Sequence, residues 1–148
     1  MSEKRDRAAA IQMASGPNVS ANLLEAERLV TEAAAGGAGL VVLPENFAFK
    51  GRQDRDLLGL REAVDDGPLQ EFLGQLARRL GIWLVGGTLP LEAENPDRVR
   101  AACMVYDDQG TRVARYDKIH LFDVHLVEAG ERYTESDTIE PGTRPLVV

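Results

Sequence analysis

A chain of 148 residues, 44% of them hydrophobic, is long enough for one domain with a proper core. Its formal net charge of −7 excludes nucleic acid and anionic membrane surfaces as natural partners, because phosphates need basic patches. No apolar run approaches the ~20 residues of a membrane span, the charged start Met1-Ser2-Glu3-Lys4-Arg5-Asp6-Arg7 lacks a secretory apolar stretch, and the lone cysteine permits no internal disulfide, so a reducing cytoplasm is the expected compartment.

Residues 8–13 read as a first strand. Ser15-Gly16-Pro17-Asn18 is a loop, and a helix follows with Asn18 or Ser20 as its cap. Leu23, Ala26, Leu29, Val30, Ala33 and Ala34 give that helix an apolar face. Gly36-Gly37-Ala38-Gly39 stops it, and residues 40–43 form the next strand. Residues 51–66 are polar, a loop with a short helix near 57–61. Asp66-Gly67-Pro68 opens a second helix, with Pro68 suited to the first turn. Leu69, Phe72, Leu73, Leu76 and Leu80 recur at helical spacing up to Gly81. Residues 82–85 are a continuous apolar strand, suited to burial on both faces.

Residues 91–97 read as an acidic loop. Strands at 99–106 and 111–116 are joined by the hairpin signal Asp107-Asp108-Gln109-Gly110. Residues 119–145 show no strong periodicity; Glu140-Pro141-Gly142-Thr143 marks a turn, and 146–148 look like the start of a strand. The expected class is α/β, one layer with its helices on one face of a sheet. The strands are too apolar for the other face to meet water, and no element of the chain is available to cover it.

Two charged residues stand at strand ends, where α/β sheets present their clefts. Glu45 follows Leu43-Pro44 directly after an apolar strand, and Lys118 lies in Arg115-Tyr116-Asp117-Lys118-Ile119-His120. Covalent amide hydrolysis needs a nucleophile, a base that later protonates the leaving amine, and a group for the oxyanion. Glu45 suits the base and Lys118 the oxyanion. By sequence alone each is also readable as a solvated loop charge. Cys103, in Ala101-Ala102-Cys103-Met104, reads as a small hydrophobe within a strand rather than a reactive thiol. Asp117, His120, Asp123 and His125 fit no strong zinc spacing. Gly36 to Gly39 follow a helix and precede a strand, the reverse of a dinucleotide fingerprint.

Val41-Val42-Leu43-Pro44-Glu45-Asn46-Phe47, Tyr116-Asp117-Lys118-Ile119-His120-Leu121-Phe122-Asp123 and Glu135-Ser136-Asp137-Thr138-Ile139-Glu140-Pro141-Gly142 resemble, in this order, the first half of a nitrilase-superfamily carbon–nitrogen hydrolase. The pattern looks closest to the bacterial branch that includes deaminated glutathione amidase and omega-amidase. Asn22-Leu23-Leu24-Glu25-Ala26 and Ile82-Trp83-Leu84-Val85-Gly86-Gly87 also fit. The resemblance implies Glu45 as general base, Lys118 as catalytic lysine and Glu135 as the second glutamate that orients it, with Glu128, Glu131 and Glu140 as nearby competitors for that last role. It implies part of an α-β-β-α sandwich, with residues 1–148 the N-terminal portion of a single hydrolase domain.

The family's nucleophile is a cysteine in a Cys-Tyr-Asp-like elbow, expected shortly after the strand begun at residues 146–148, so the chain is expected to stop before it and to lack turnover alone. The resemblance implies a small linear amide as substrate, one with a carboxylate at its far end being an example, and no metal or organic cofactor. A homo-oligomer is expected for the intact protein. A non-catalytic α/β subunit that associates with another sheet, or a small-ligand-binding module, are the alternatives.

Overall fold

The chain begins by crossing twice from strand to helix and back. The computed structural model describes residues 7–126 and 130–148, and the side chain of Glu131 lies outside that description. In chain order come β1 (Arg7–Ala10), α1 (Val19–Ala35), β2 (Ala38–Val42), α2 (Pro68–Leu80), β3 (Trp83–Val85), β4 (Leu89–Glu92), β5 (Val99–Tyr106), β6 (Arg112–Asp117), β7 (Asp123–Leu126) and β8 (Glu131–Thr134). Short 3₁₀ helices span Asp54–Leu60 and Glu135–Asp137. The main sheet runs β1-β2-β3-β5-β4, with β6 also paired to β5. β1, β2 and β3 are parallel, as strand–helix–strand crossovers require, and the remaining pairs are antiparallel.

Helix α1 starts where the Asn18 side chain accepts the amide of Ala21 at 3.0 Å. Its buried row is Asn22, Ala26, Val30 and Ala34, one residue per turn. Leu29, expected on this face, is only partly buried, and a polar residue has joined the row. Asn22 is tolerated there because its amide donates to the carbonyls of Gly16 and Ala48 at 2.7 and 2.9 Å. Helix α2 begins with Pro68 in its first turn and ends on Gly81 in the left-handed conformation. The buried carboxylate of Glu62 accepts the amides of Leu69 and Gln70 at 2.6 and 3.2 Å. A negative charge at the positive end of the helix stabilises it.

Both helices pack on one face of the sheet. Val41, Leu84, Ala102 and Met104 from the strands meet Ala26, Val30, Leu69, Leu73 and Leu76 from the helices in one continuous core. On the opposite face Leu40, Val42 and Trp83 remain 38%, 37% and 41% exposed. The strand expected to be buried on both faces is therefore sealed on one only, with Leu84 inaccessible and Trp83 half in water.

Three further expectations need correction. Residues 91–97 are not wholly loop: Leu89–Glu92 form β4, paired to β5 with Pro90 opposite Ala101. A proline argues against a strand, but at the sheet margin its missing donor costs nothing. The segment after β6 holds the two-stranded ribbon β7–β8, whose strands of four residues are too short to show a period. Residues 146–148 form no strand and are exposed, because no strand among the described residues pairs with them.

Leu84 and Leu40 make a controlled comparison. Leu84→Ala should cost about 2–5 kcal/mol, whereas Leu40→Ala should change stability by less than about 1 kcal/mol, both read from urea unfolding midpoints at constant slope. Equal losses at the two positions would mean that the open face is covered in solution.

Candidate active site

Glu45 sits on the loop that leaves β2, and that loop is fastened from several sides. Leu43 donates to the Val85 carbonyl at 2.9 Å, which carries the β2–β3 pairing one residue past the strand. Asn46 has a positive φ of 55° and donates its amide to the Thr88 hydroxyl at 2.9 Å. Gly87 approaches so closely that a β-carbon there would lie 2.0 Å from the Pro44 carbonyl oxygen. Phe47 is fully buried and stacks on Phe72 at 6.5 Å between ring centres. Ser15 donates to the Phe47 carbonyl at 2.7 Å, and Asn22 holds that of Ala48. These anchors fix the backbone from which Glu45 projects.

Lys118 follows the last residue of β6. Its amide donates to the Ala101 carbonyl at 3.0 Å, and its own carbonyl accepts from Gly142 at 2.8 Å. Its Nζ lies 2.8 Å from Glu45 Oε1 and 2.8 Å from Glu135 Oε1. Glu135 opens the 3₁₀ helix Glu135–Asp137, and its Oε2 accepts the Phe122 amide at 2.6 Å. The three residues expected from sequence therefore meet at one ammonium.

The two carboxylates differ in setting. The Glu135 side chain is 17% exposed and bonded through both oxygens, so it is fixed. That of Glu45 is 52% exposed, and among the described residues its Oε2 has no hydrogen-bond partner. Burial pulls the Lys118 ammonium down, but the hydrogen bonds it donates to Glu135 and Glu45, with the charges of both carboxylates, outweigh it and hold the group above the ordinary lysine value. Lys118 is thus a fixed cation, and Glu45 retains an oxygen able to take a proton.

The triad lies against a cavity of about 450 Å³. Ala101 and Ile139 form part of its floor, within a small second core that includes Val99, Leu57 and Leu58. Phe122 and Tyr133, with ring centres 5.6 Å apart, make an aromatic wall. Lys50 and Arg52 bring two further cations to the lining. Lys50 stands 3.9 Å from Asp54, and Arg52 has no ion pair among the described residues.

Of the competitors for the place of Glu135, Glu140 is turned away into an ion pair with Arg100. Glu128 lies outside the described residues, as does the side chain of Glu131. Cys103 is only partly buried and does not line the cavity. Burial pushes its thiol up, away from the thiolate. Asp117 is paired to Arg115 at 2.8 Å, and Asp123 accepts the Ser136 amide at 3.0 Å. Among the described residues no three His, Cys, Asp or Glu are grouped to hold a metal ion.

Several residues that shape the site were not legible as such. Thr88 acts through its hydroxyl, and Gly87 through close backbone approach, on a loop far away in sequence. Arg52 sits in the polar stretch 51–66, which reads as a loop with a short helix near 57–61, and Lys50 directly precedes it. A polar residue in the buried row of α1, Asn22, was the one available signal that the neighbouring loop needs a donor.

The sequence matches the carbon-nitrogen hydrolase family over residues 7–148. It is 38% identical over 140 residues to the deaminated glutathione amidase of Yersinia enterocolitica, covering 94% of this chain and 48% of that protein. It is 35% identical over 136 residues to omega-amidase NIT2-B of Xenopus laevis, covering 92% of this chain and 48% of that one. Among solved structures, Nit3 of Saccharomyces cerevisiae, a member of branch 10 of the nitrilase superfamily, matches with a TM-score of 0.72 at 27% identity, over 88% of this chain and 46% of the other. The chain spans about half the length of the curated relatives it matches. No helix among the described residues is long and apolar enough to cross a membrane. With the match extending from residue 7 to residue 148 and the mixed α/β fold shared, the chain belongs to the carbon-nitrogen hydrolase family of the nitrilase superfamily.

Proposed function

We propose that residues 1–148 supply the base, the oxyanion-binding cation and the supporting carboxylate for hydrolysing the C–N bond of small linear amides through a thioester. The observation that carries the reading is the single ammonium of Lys118 at 2.8 Å from both Glu45 and Glu135, against one cavity. The amidase names of the relatives support it.

Glu45 takes the proton of a cysteine thiol, and the thiolate attacks the amide carbon. The carbonyl oxygen gathers the negative charge beside Lys118, which donates to it, while Glu135 keeps the ammonium in place. Glu45 returns the proton to the nitrogen, the C–N bond breaks and ammonia leaves. Water then attacks the thioester carbon and gives its proton to Glu45. The carboxylic acid departs and the thiol is restored. The route uses no metal or organic cofactor.

Cys103 is a poor source of that thiolate, since it does not line the cavity and its thiol is held protonated. The proposed nucleophile is a cysteine outside residues 1–148, and these residues alone have no turnover. Arg52, a cation of the lining with no ion pair among the described residues, favours an amide with a carboxylate at its far end, whereas Lys50 stands beside Asp54. A second reading, a non-catalytic subunit that docks on another sheet or on a copy of itself, is favoured by the half-exposed Leu40, Val42 and Trp83. A clean monomer in sizing chromatography counts against it.

The test assays residues 1–148, and a longer chain in which they are joined to the C-terminal half of a related amidase, against small amides with and without a terminal carboxylate. The shorter chain should be inactive. In the longer one, Glu45→Gln and Lys118→Ala should each lower kcat by about 10²–10³-fold. Arg52→Ala should raise KM for the carboxylate-bearing amides and leave neutral ones unchanged. Turnover by residues 1–148 that disappears in Cys103→Ser would overturn the assignment of the nucleophile.

The lysine also ties stability to pH. Its folded value lies above the reference value of 10.5, so its contribution is fully present below that pH and is lost as pH rises through the folded value. Thermal melts between about pH 9 and about pH 12 should show an alkaline loss of stability that is smaller in Lys118→Met.

A further inference from the structure

The segment that follows Glu135 touches both halves of the ion-pair triad through its backbone. The amides of Thr138 and Ile139 donate to the Glu135 carbonyl at 3.0 and 2.8 Å, closing the turn that carries this carboxylate. Val99 donates to the Thr138 carbonyl at 2.9 Å, and Glu140 donates back to the Val99 carbonyl at 2.8 Å. Gly142 donates to the Lys118 carbonyl at 2.8 Å. Residues 138–142 thus hold the main chain of Glu135 at one end and that of Lys118 at the other.

Glu140 stands in the middle of this span, and its side chain is 15% exposed. It pairs at 2.5 Å with Arg100, itself 16% exposed. Its two oxygens also accept the amides of Glu94 and Asn95 at 3.2 and 3.0 Å. Arg100 returns hydrogen bonds to the carbonyls of Glu140 and Pro141. On β5, Arg100 is adjacent to Ala101, whose carbonyl receives the Lys118 amide. Neither side chain of the pair lines the cavity.

We propose that the Arg100–Glu140 ion pair is a positioning device for the Lys118–Glu135 contact, fixing residues 138–142 against β5 so that the two chain segments meet at hydrogen-bond distance. The proposal rests on the reading of Lys118 and Glu135 as working partners in the site. Partial burial gives the pair its leverage: removing one partner leaves a partly solvated charge without its counter-ion, and the span shifts to hydrate it. A catalytic constellation tolerates only about 0.5 Å of such movement. Gly142 completes the device, because a β-carbon there would lie 2.2 Å from the Asp117 carbonyl oxygen. Only glycine lets its amide reach the next carbonyl, that of Lys118.

The experiment reads the lysine itself, with no amide substrate present. Purified protein is labelled with an amine-selective reagent, and mass spectrometry follows Lys118 with Lys4 and Lys50 as internal references. Arg100→Ala and Glu140→Gln should free the ammonium, lower its pKa by about one unit and speed its labelling about tenfold at roughly pH 9. Arg100→Lys should restore most of the protection. Arg112→Ala is the control: it breaks the ion pair with Asp65, which touches no residue of the triad, and should lower the Tm without altering Lys118. Gly142→Ala should behave like Arg100→Ala, and it reads the same quantity if Arg100→Ala does not fold. Lys118 labelling within twofold of native in every folded variant, with only the Tm reduced, overturns the proposal. Because no amide is hydrolysed in this measurement, that failure leaves the amidase reading standing, and an inactive enzyme leaves the positioning result standing.

Discussion

The molecule turns on one ammonium shared by two carboxylates that arrive from distant parts of the chain. Lys118 leaves a β-strand, Glu45 leaves another, and Glu135 opens a single helical turn. None of these local structures has a reason to approach the others except through the sheet. The β2–β3–β5–β6 succession sets the spacing, since Leu43 continues the pairing to β3 and Lys118 continues the pairing to β5. Two negative charges converging on a partly buried point would repel, and the cation between them is what makes the arrangement tenable. The same cation draws on both, because burial alone would push it toward neutrality.

Rigidity is distributed unevenly around that point. Glu135 is held through both oxygens and Glu45 through one. The division suits a pair in which one carboxylate orients and the other exchanges protons. The loop carrying Glu45 is nonetheless fixed in its backbone, by Thr88, Asn22, Ser15 and the buried ring of Phe47. Freedom is confined to the side chain, as the proposed exchange of protons by Glu45 requires.

The legible part of the fold was the part governed by period and punctuation. Pro68, the leucine row of α2 and Gly81 marked a helix whose observed limits are Pro68–Leu80. The β5–β6 hairpin followed from Asp107 and Gly110, and in the structure Asp107 caps the turn by accepting the amides of Gln109 and Thr111. What stayed hidden was governed by pairing. β4 contains a proline, β7 and β8 are four residues each, and such segments become strands only because a partner lies beside them. The site divides in the same way. Glu45 and Lys118 stood out at strand ends, and Glu135 entered through the family pattern. Thr88 and Gly87 act through contacts to a loop remote in sequence, which no local pattern records.

The uncovered side of the sheet has a practical corollary. Trp83 is the only tryptophan in the chain, and the residue is 41% exposed there. Whatever comes to lie on that side moves the indole out of water and shifts its fluorescence to shorter wavelength. The protein therefore carries a built-in optical gauge of whether its sheet is bare or occupied.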